Sequence, residues 1–100
     1  MDADFPPIVE EKDLVLRKPV RLAEQEYDKL HLREPTAEEL AKASREPTDV
    51  DMLISLVHQV AAVPRTVAAR LSQRDLQECG RFFGQFAPRD PSLSGESSPT

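Results

Sequence analysis

The chain has 100 residues, 18 acids against 13 bases for a formal charge of -5, and one cysteine, Cys79. A chain this short makes one modest domain, without room for a deep catalytic cleft and its own lid. The acidic balance speaks against nucleic-acid binding, which draws on clustered Lys and Arg. A lone thiol excludes an internal disulfide scaffold and fits a reducing cytoplasm.

The charge is unevenly spread: residues 1–51 carry 14 acids and 8 bases, residues 52–100 carry 4 acids and 5 bases. The beginning, with Asp2, Asp4 and Pro6-Pro7, has neither the basic nor the apolar region of a signal peptide. Residues 1–11 read as a flexible acidic arm in which Phe5 and Ile8 are the groups able to dock. From Leu14 to Leu22 the even positions Leu14, Leu16, Val20 and Leu22 are apolar, the period-two pattern of a strand with one greasy face. Pro19 donates no hydrogen bond, so this strand is expected at an edge or with a bulge there. "AEQE" at 23–26 is the expected hairpin connection. A second strand over 27–34 points Leu30 and Leu32 one way and Lys29, His31 and Arg33 the other.

Pro35 disfavours helical geometry at Glu34 and ends that strand. Thr36-x-x-Glu39 then forms a capping box, and Glu38 and Glu39 sit at the positive end of the helix dipole. Ala37, Leu40, Ala41 and Ser44 make the expected narrow, small-residue stripe of a helix ending near Glu46, before Pro47. Thr48 and Asp49 cap the next helix. Its stripe of Val50, Leu53, Leu56, Val57, Val60 and Ala61 marks it as the centre of the core. Asp51, Ser55, His58 and Gln59 are expected on the opposite face. Pro64 breaks the helix, and residues 65–71 form a short helical turn. Ser72-x-x-Asp75 opens a last helix with Leu76, Cys79, Phe83 and Phe86 at helical spacing and Phe82 beside them. The Pro/Ser/Gly-rich residues 88–100 are expected to be disordered. The resulting fold class is α+β, an N-terminal β-hairpin followed by three helices plus a short helical turn with disordered termini. Residues 12–87 form its single domain.

Chemistry finds little purchase in this pattern. His31 and His58 lack a metal-spaced partner on the same element, and Cys79 falls on an apolar stripe. Glu38 and Glu39 are adjacent on a helix and cannot flank a bond as two catalytic carboxylates do. No cofactor, metal or catalytic residue is assigned, and the protein is expected not to be an enzyme. No apolar run approaches the ~18 residues of a membrane span. Gly80-x-x-x-Gly84 suggests either close packing within the molecule or a flat face for another chain. The segment 64–86, with arginines at 65, 70, 74 and 81, supports an alternative reading as a helix-turn-helix-like DNA-binding regulator. Phe82, Phe83 and Phe86 do not share one helical stripe. Together with Leu76 and the exposed side of the central helix, they are the candidate partner-binding surface.

The order "LVLRKPVRL", a polar turn, "YDKLHLREPTAEEL", an apolar helix and "RLSQRDLQECGRFFGQF" resembles the tail assembly chaperones of long-tailed, Mu-like and P2-like bacteriophages. The likeness covers about residues 13–87. Its most telling pieces are Lys18-Pro19, Leu32-Arg33-Glu34-Pro35-Thr36, and Leu71-Ser72 with Asp75-Leu76. The family commonly has glycine at the hairpin turn, where this chain has none. The resemblance implies a non-enzymatic phage or prophage protein of the host cytoplasm, not expected in the mature virion. It would bind the helical tape measure protein, with the tail tube protein as a further candidate partner. It would keep the tape measure protein soluble until tube subunits polymerise around it. Neither nucleic acid nor membrane is an expected partner.

Overall fold

Two antiparallel strands, β1 (Glu11–Leu22) and β2 (Gln25–Arg33), form a hairpin, and α1 (Ala37–Ala43), α2 (Asp49–Ala61), α3 (Arg65–Ala69) and α4 (Gln73–Gly84) follow it. The computed structural model describes residues 10–86. Nearly all of the expected arm at 1–11, and the whole tail at 88–100, lie outside them, but Glu11 already belongs to β1. The fold is the α+β arrangement expected from the sequence: a hairpin, three helices and one short helical turn.

The hairpin buries one face. Leu14, Leu16 and Val20 of β1 and Leu30 and Leu32 of β2 are buried beneath the helices, whereas Val15, Lys29 and His31 face outward. The turn is tighter than expected. Leu22 pairs with Gln25, so Ala23 and Glu24 alone make the connection. Ala23 has a φ of 57°, a left-handed conformation that favours glycine. Pro19 marks a bulge: Val15 pairs with Lys29 and Val20 with Tyr27, leaving residues 16–19 opposite Asp28 alone.

The three capping signals all operate. Thr36 Oγ1 accepts from the Glu39 amide at 3.2 Å and the Glu39 carboxylate accepts from the Thr36 amide at 2.9 Å. Thr48 accepts from the Asp51 amide at 3.0 Å, and Ser72 accepts from the Asp75 amide at 3.2 Å. α2 ends at Ala62, whose φ of 58° turns the chain, while His58 Nδ1 donates to the Val63 carbonyl at 2.6 Å across that turn.

Two face assignments need correction. In α1, Ala43 is buried and Glu39 half-buried, and Glu46, in the turn after the helix, is half-buried on the same side, so the inward side of this segment runs 39–43–46. Leu40 of the expected stripe is 51% exposed. The helix has only seven residues. Its orientation is fixed by the anchors at its start, not by a continuous apolar stripe. In α2, Ser55 is buried where a solvent-facing residue was expected, and Val50 is 57% exposed where a core residue was expected. α1 packs on the polar side of α2, and Gln59 Nε2 bridges them by donating to the Glu39 carbonyl and to Ser55 Oγ.

Candidate functional site

The motifs carried by the hairpin and by the last helix meet in space. Asp75, at the third position of α4, is only 1% exposed. Its carboxylate accepts the amides of Arg17 at 2.9 Å and Lys18 at 3.1 Å, the two residues ahead of Pro19. The bulge strips these amides of their ladder partners, and the carboxylate supplies replacements. Burial pushes the Asp75 carboxyl upward, but the two amides, the Ser72 hydroxyl and the Arg17 charge outweigh it and leave the group below its ordinary value. Sequence reasoning read Asp75 only as part of a cap. A further signal was present: Asp75, Cys79, Phe82 and Phe83 are spaced at four, seven and eight, which places the acid on the buried stripe.

A second clamp sits at the strand-to-helix hinge. Arg33 at the end of β2 grips Glu39 of α1 with two parallel hydrogen bonds of 2.9 and 2.7 Å. The guanidinium is the main cause of a Glu39 pKa lowered to about 2, opposed by burial and aided by the Thr36 amide. Together the clamp and the capping box hold α1 against the end of the hairpin.

These two anchors shape an apolar groove of about 360 Å³. Pro35 and Ala37 of the hinge and Leu40 of α1 form one side, Phe83 and Phe86 of α4 the other, and Leu56 of α2 contributes between them. Glu34 and Thr36 edge it with polar groups.

The four residues singled out from sequence divide. Phe83 is 8% exposed and shows part of its ring to the groove, and Phe86 is half-buried on the groove wall. Phe82 is 5% exposed and lies on the other side of α4, beside a shallow cleft with Lys12, Glu78, Arg81 and Gln85. Leu76 is half-buried against the core and outside the groove. The three rings do not form one exposed patch, because α4 packs on two sides, against β1 and against α2, and each side takes a ring. Phe82 joins the set through edge-to-face contacts, 5.6 Å to Phe83 and 5.4 Å to Phe86 between centroids. Leu40, Pro35 and Leu56 were not anticipated here. An exposed leucine on a helix two turns long gives no local sign of what lies across from it.

The glycine pair also divides. A methyl group on Gly80 would lie 3.2 Å from Leu53 Cδ2, so this glycine lets α4 approach α2, whereas Gly84 has nothing within 4 Å. The Cys79 thiol is buried, and burial above all, with the charges of Asp75 and Glu78, pushes its pKa up to about 12. His31 lies exposed between Asp13 at 2.7 Å and Glu11 at 3.0 Å, and the Asp13 hydrogen bond chiefly raises its pKa. Among the described residues no group of three or more His, Cys, Asp or Glu is placed to hold a metal ion, and no helix is long and apolar enough to cross a membrane.

The helix-turn-helix alternative fits this geometry poorly. α3 has five residues. Arg65 pairs with Glu46, Arg70 donates to the Arg21 carbonyl, and Arg81 pairs with Glu78. The start of α4, where a recognition helix meets base edges, is pinned to the hairpin through Asp75.

Comparison with curated proteins and with solved structures gave no match. A family model described as "Phage tail assembly chaperone proteins, E, or 41 or 14" matches residues 13–88. That span opens two residues into β1 and closes just beyond the groove wall, enclosing both clamps and the groove they shape. The chain therefore belongs to the phage tail assembly chaperone family.

Proposed function

We propose that this tail assembly chaperone is a non-enzymatic holdase for the tape measure protein, acting in the bacterial host cytoplasm until tail tube subunits polymerise around its client. The observation that carries this reading is the groove between α1 and α4, where Leu40, Phe86 and the edge of Phe83 present apolar surface beside a rigid hinge. A groove of this kind takes the apolar side chains of an amphipathic helix. Each large side chain fully buried there contributes about 1.5–3 kcal/mol. The acidic first half of the chain, with Glu34 at the groove and Glu38 nearby on α1, surrounds such a client with charge and opposes further association.

Co-expression with a tape measure protein tests this. Leu40→Asp places a charge on an exposed position of the groove and spares the core; Val15→Asp does the same on the outer hairpin face, where Val15 is 70% exposed. The fraction of tape measure protein in the supernatant is expected to collapse with Leu40→Asp and to survive Val15→Asp. A folded Leu40→Asp variant that keeps the client soluble would assign the docking surface elsewhere.

A further inference from the structure

The outer face of the hairpin gathers charge at its open end. The register sets Asp13 opposite His31 and Glu11 opposite Arg33. Directly opposed residues have Cβ atoms about 4.5–5.5 Å apart, and diagonal neighbours about 7–8 Å. Glu11 nevertheless reaches diagonally, placing Oε1 3.0 Å from His31 Nε2. Arg33, its direct neighbour, turns away to hold Glu39 with bonds of 2.9 and 2.7 Å. On the other side of the imidazole, Nδ1 lies 2.7 Å from Asp13 Oδ1. Lys29 and Arg33 flank His31 on its own strand, and the helices pack against the opposite face of the hairpin. Glu11, Asp13, Lys29 and Arg33 are therefore the charged surroundings of His31 among the described residues.

One proton decides whether this arrangement holds. An ionised carboxylate only accepts, so His31 Nδ1 keeps its hydrogen for Asp13. The proton lost on titration is then the one on Nε2. Its loss leaves a lone pair facing the Glu11 carboxylate at 3.0 Å, and attraction turns to repulsion. Glu11 has Arg33 directly across the ladder. Two cations shared among Asp13, Glu11 and Glu39 become one, and Glu11 competes with Glu39 for the same guanidinium. The Asp13 hydrogen bond chiefly raises the His31 pKa above its ordinary 6.5, and Glu11 adds to it. The doubly held imidazolium is thus complete below that ordinary value and is lost as pH rises through the raised one.

We infer that Glu11 is a proton-controlled switch: it holds His31 when the imidazole is protonated and swings to Arg33 when it is neutral, loosening the Arg33–Glu39 clamp at the hinge. The clamp shares the Glu39 carboxylate with the Thr36 amide of the capping box, so the start of α1 feels the exchange. Leu40, on the next turn, walls the groove. Groove and hairpin are held together more firmly below the His31 midpoint than above it. This coupling lies within the chain and does not depend on what fills the groove.

The test is an NMR titration of the full chain over about pH 5 to 9. The His31 ring carbons are expected to titrate with a midpoint above 6.5. The Glu11 carboxyl carbon, the Arg33 side-chain N–H and the Thr36 and Glu39 amides are expected to move with that same midpoint. Exchange protection of the Thr36 amide, corrected for intrinsic pH dependence, is expected to fall about 1.5- to 5-fold above it, the range of exposed ion pairs. Glu11→Gln removes the moving carboxylate: His31 still titrates, and the hinge signals become flat. Asp13→Asn keeps an acceptor for Nδ1 but lowers the His31 midpoint, and the hinge midpoint is expected to follow it down. Hinge signals that stay flat through the wild-type His31 titration overturn the switch. So does a hinge titration that persists in Glu11→Gln or ignores Asp13→Asn, because another group, such as His58, then drives it.

Discussion

Replacing Asp75 is the sharpest probe of how this chain is held together. Asp75→Ala removes the acceptor of two amide hydrogen bonds, at 2.9 and 3.1 Å, from a site where the acid is 1% exposed. Hydrogen bonds to a charged group contribute about 1.5–3 kcal/mol each. Both amides are partly buried, so water recovers part of that, and the lower end of the range sums to about 3 kcal/mol. Asp75→Asn keeps one acceptor and turns an amide donor toward the other N–H, for a loss of about 2 kcal/mol. A domain with 77 described residues has a stability of about 4–12 kcal/mol. The alanine variant is therefore expected to lower Tm by about 12–24 °C at roughly 4–8 °C per kcal/mol. Circular dichroism melts give the loss, and hydrogen exchange at the Arg17 and Lys18 amides locates it. The pH dependence has a definite sign. The folded carboxyl titrates below its ordinary value of 3.8, so its contribution is complete above that value and disappears as pH falls through the folded one. The asparagine variant loses this component. A loss under about 1 kcal/mol, with both amides still protected from exchange, would refute the clamp.

Three further outcomes follow from the geometry. Glu39→Gln weakens the bidentate Arg33 contact and half of the capping box, and is expected to destabilise by about 1–2 kcal/mol in urea titrations. The wild-type contribution is present above the ordinary glutamate value of 4.5 and fades as pH drops toward about 2, so the two proteins should converge in acid. Cys79, with a pKa of about 12, is expected to react with an aromatic disulfide reagent only through opening of the fold; reaction as fast as in urea would contradict its burial. Ala23→Gly and Ala62→Gly relieve left-handed backbone at φ of 57° and 58°. Each is expected to raise stability by up to about 1 kcal/mol, read as a higher urea midpoint at unchanged m-value.

The sequence by itself determined the elements and their punctuation. Period-two leucines gave the strands, Thr36, Thr48 and Ser72 marked the helix starts, and Pro19, Pro35 and Pro64 marked a bulge, a hinge and a break. These signals are local: a cap or a strand alternation involves residues within one or two turns of each other, so the string displays them directly. The family order of motifs was legible for the same reason. Only tertiary structure decided what those motifs do to one another. Asp75 reaches amides 57 and 58 residues away, and no periodicity within α4 announces them. Phe82 and Phe83 are both buried because α4 is packed on two sides, a condition set by the hairpin and α2. Leu40 becomes part of a groove because clamps in the first turns of α1 and α4 fix where those two helices lie against the hairpin. A side chain's role depends on which surface faces it, and that surface exists only once distant segments have been brought together.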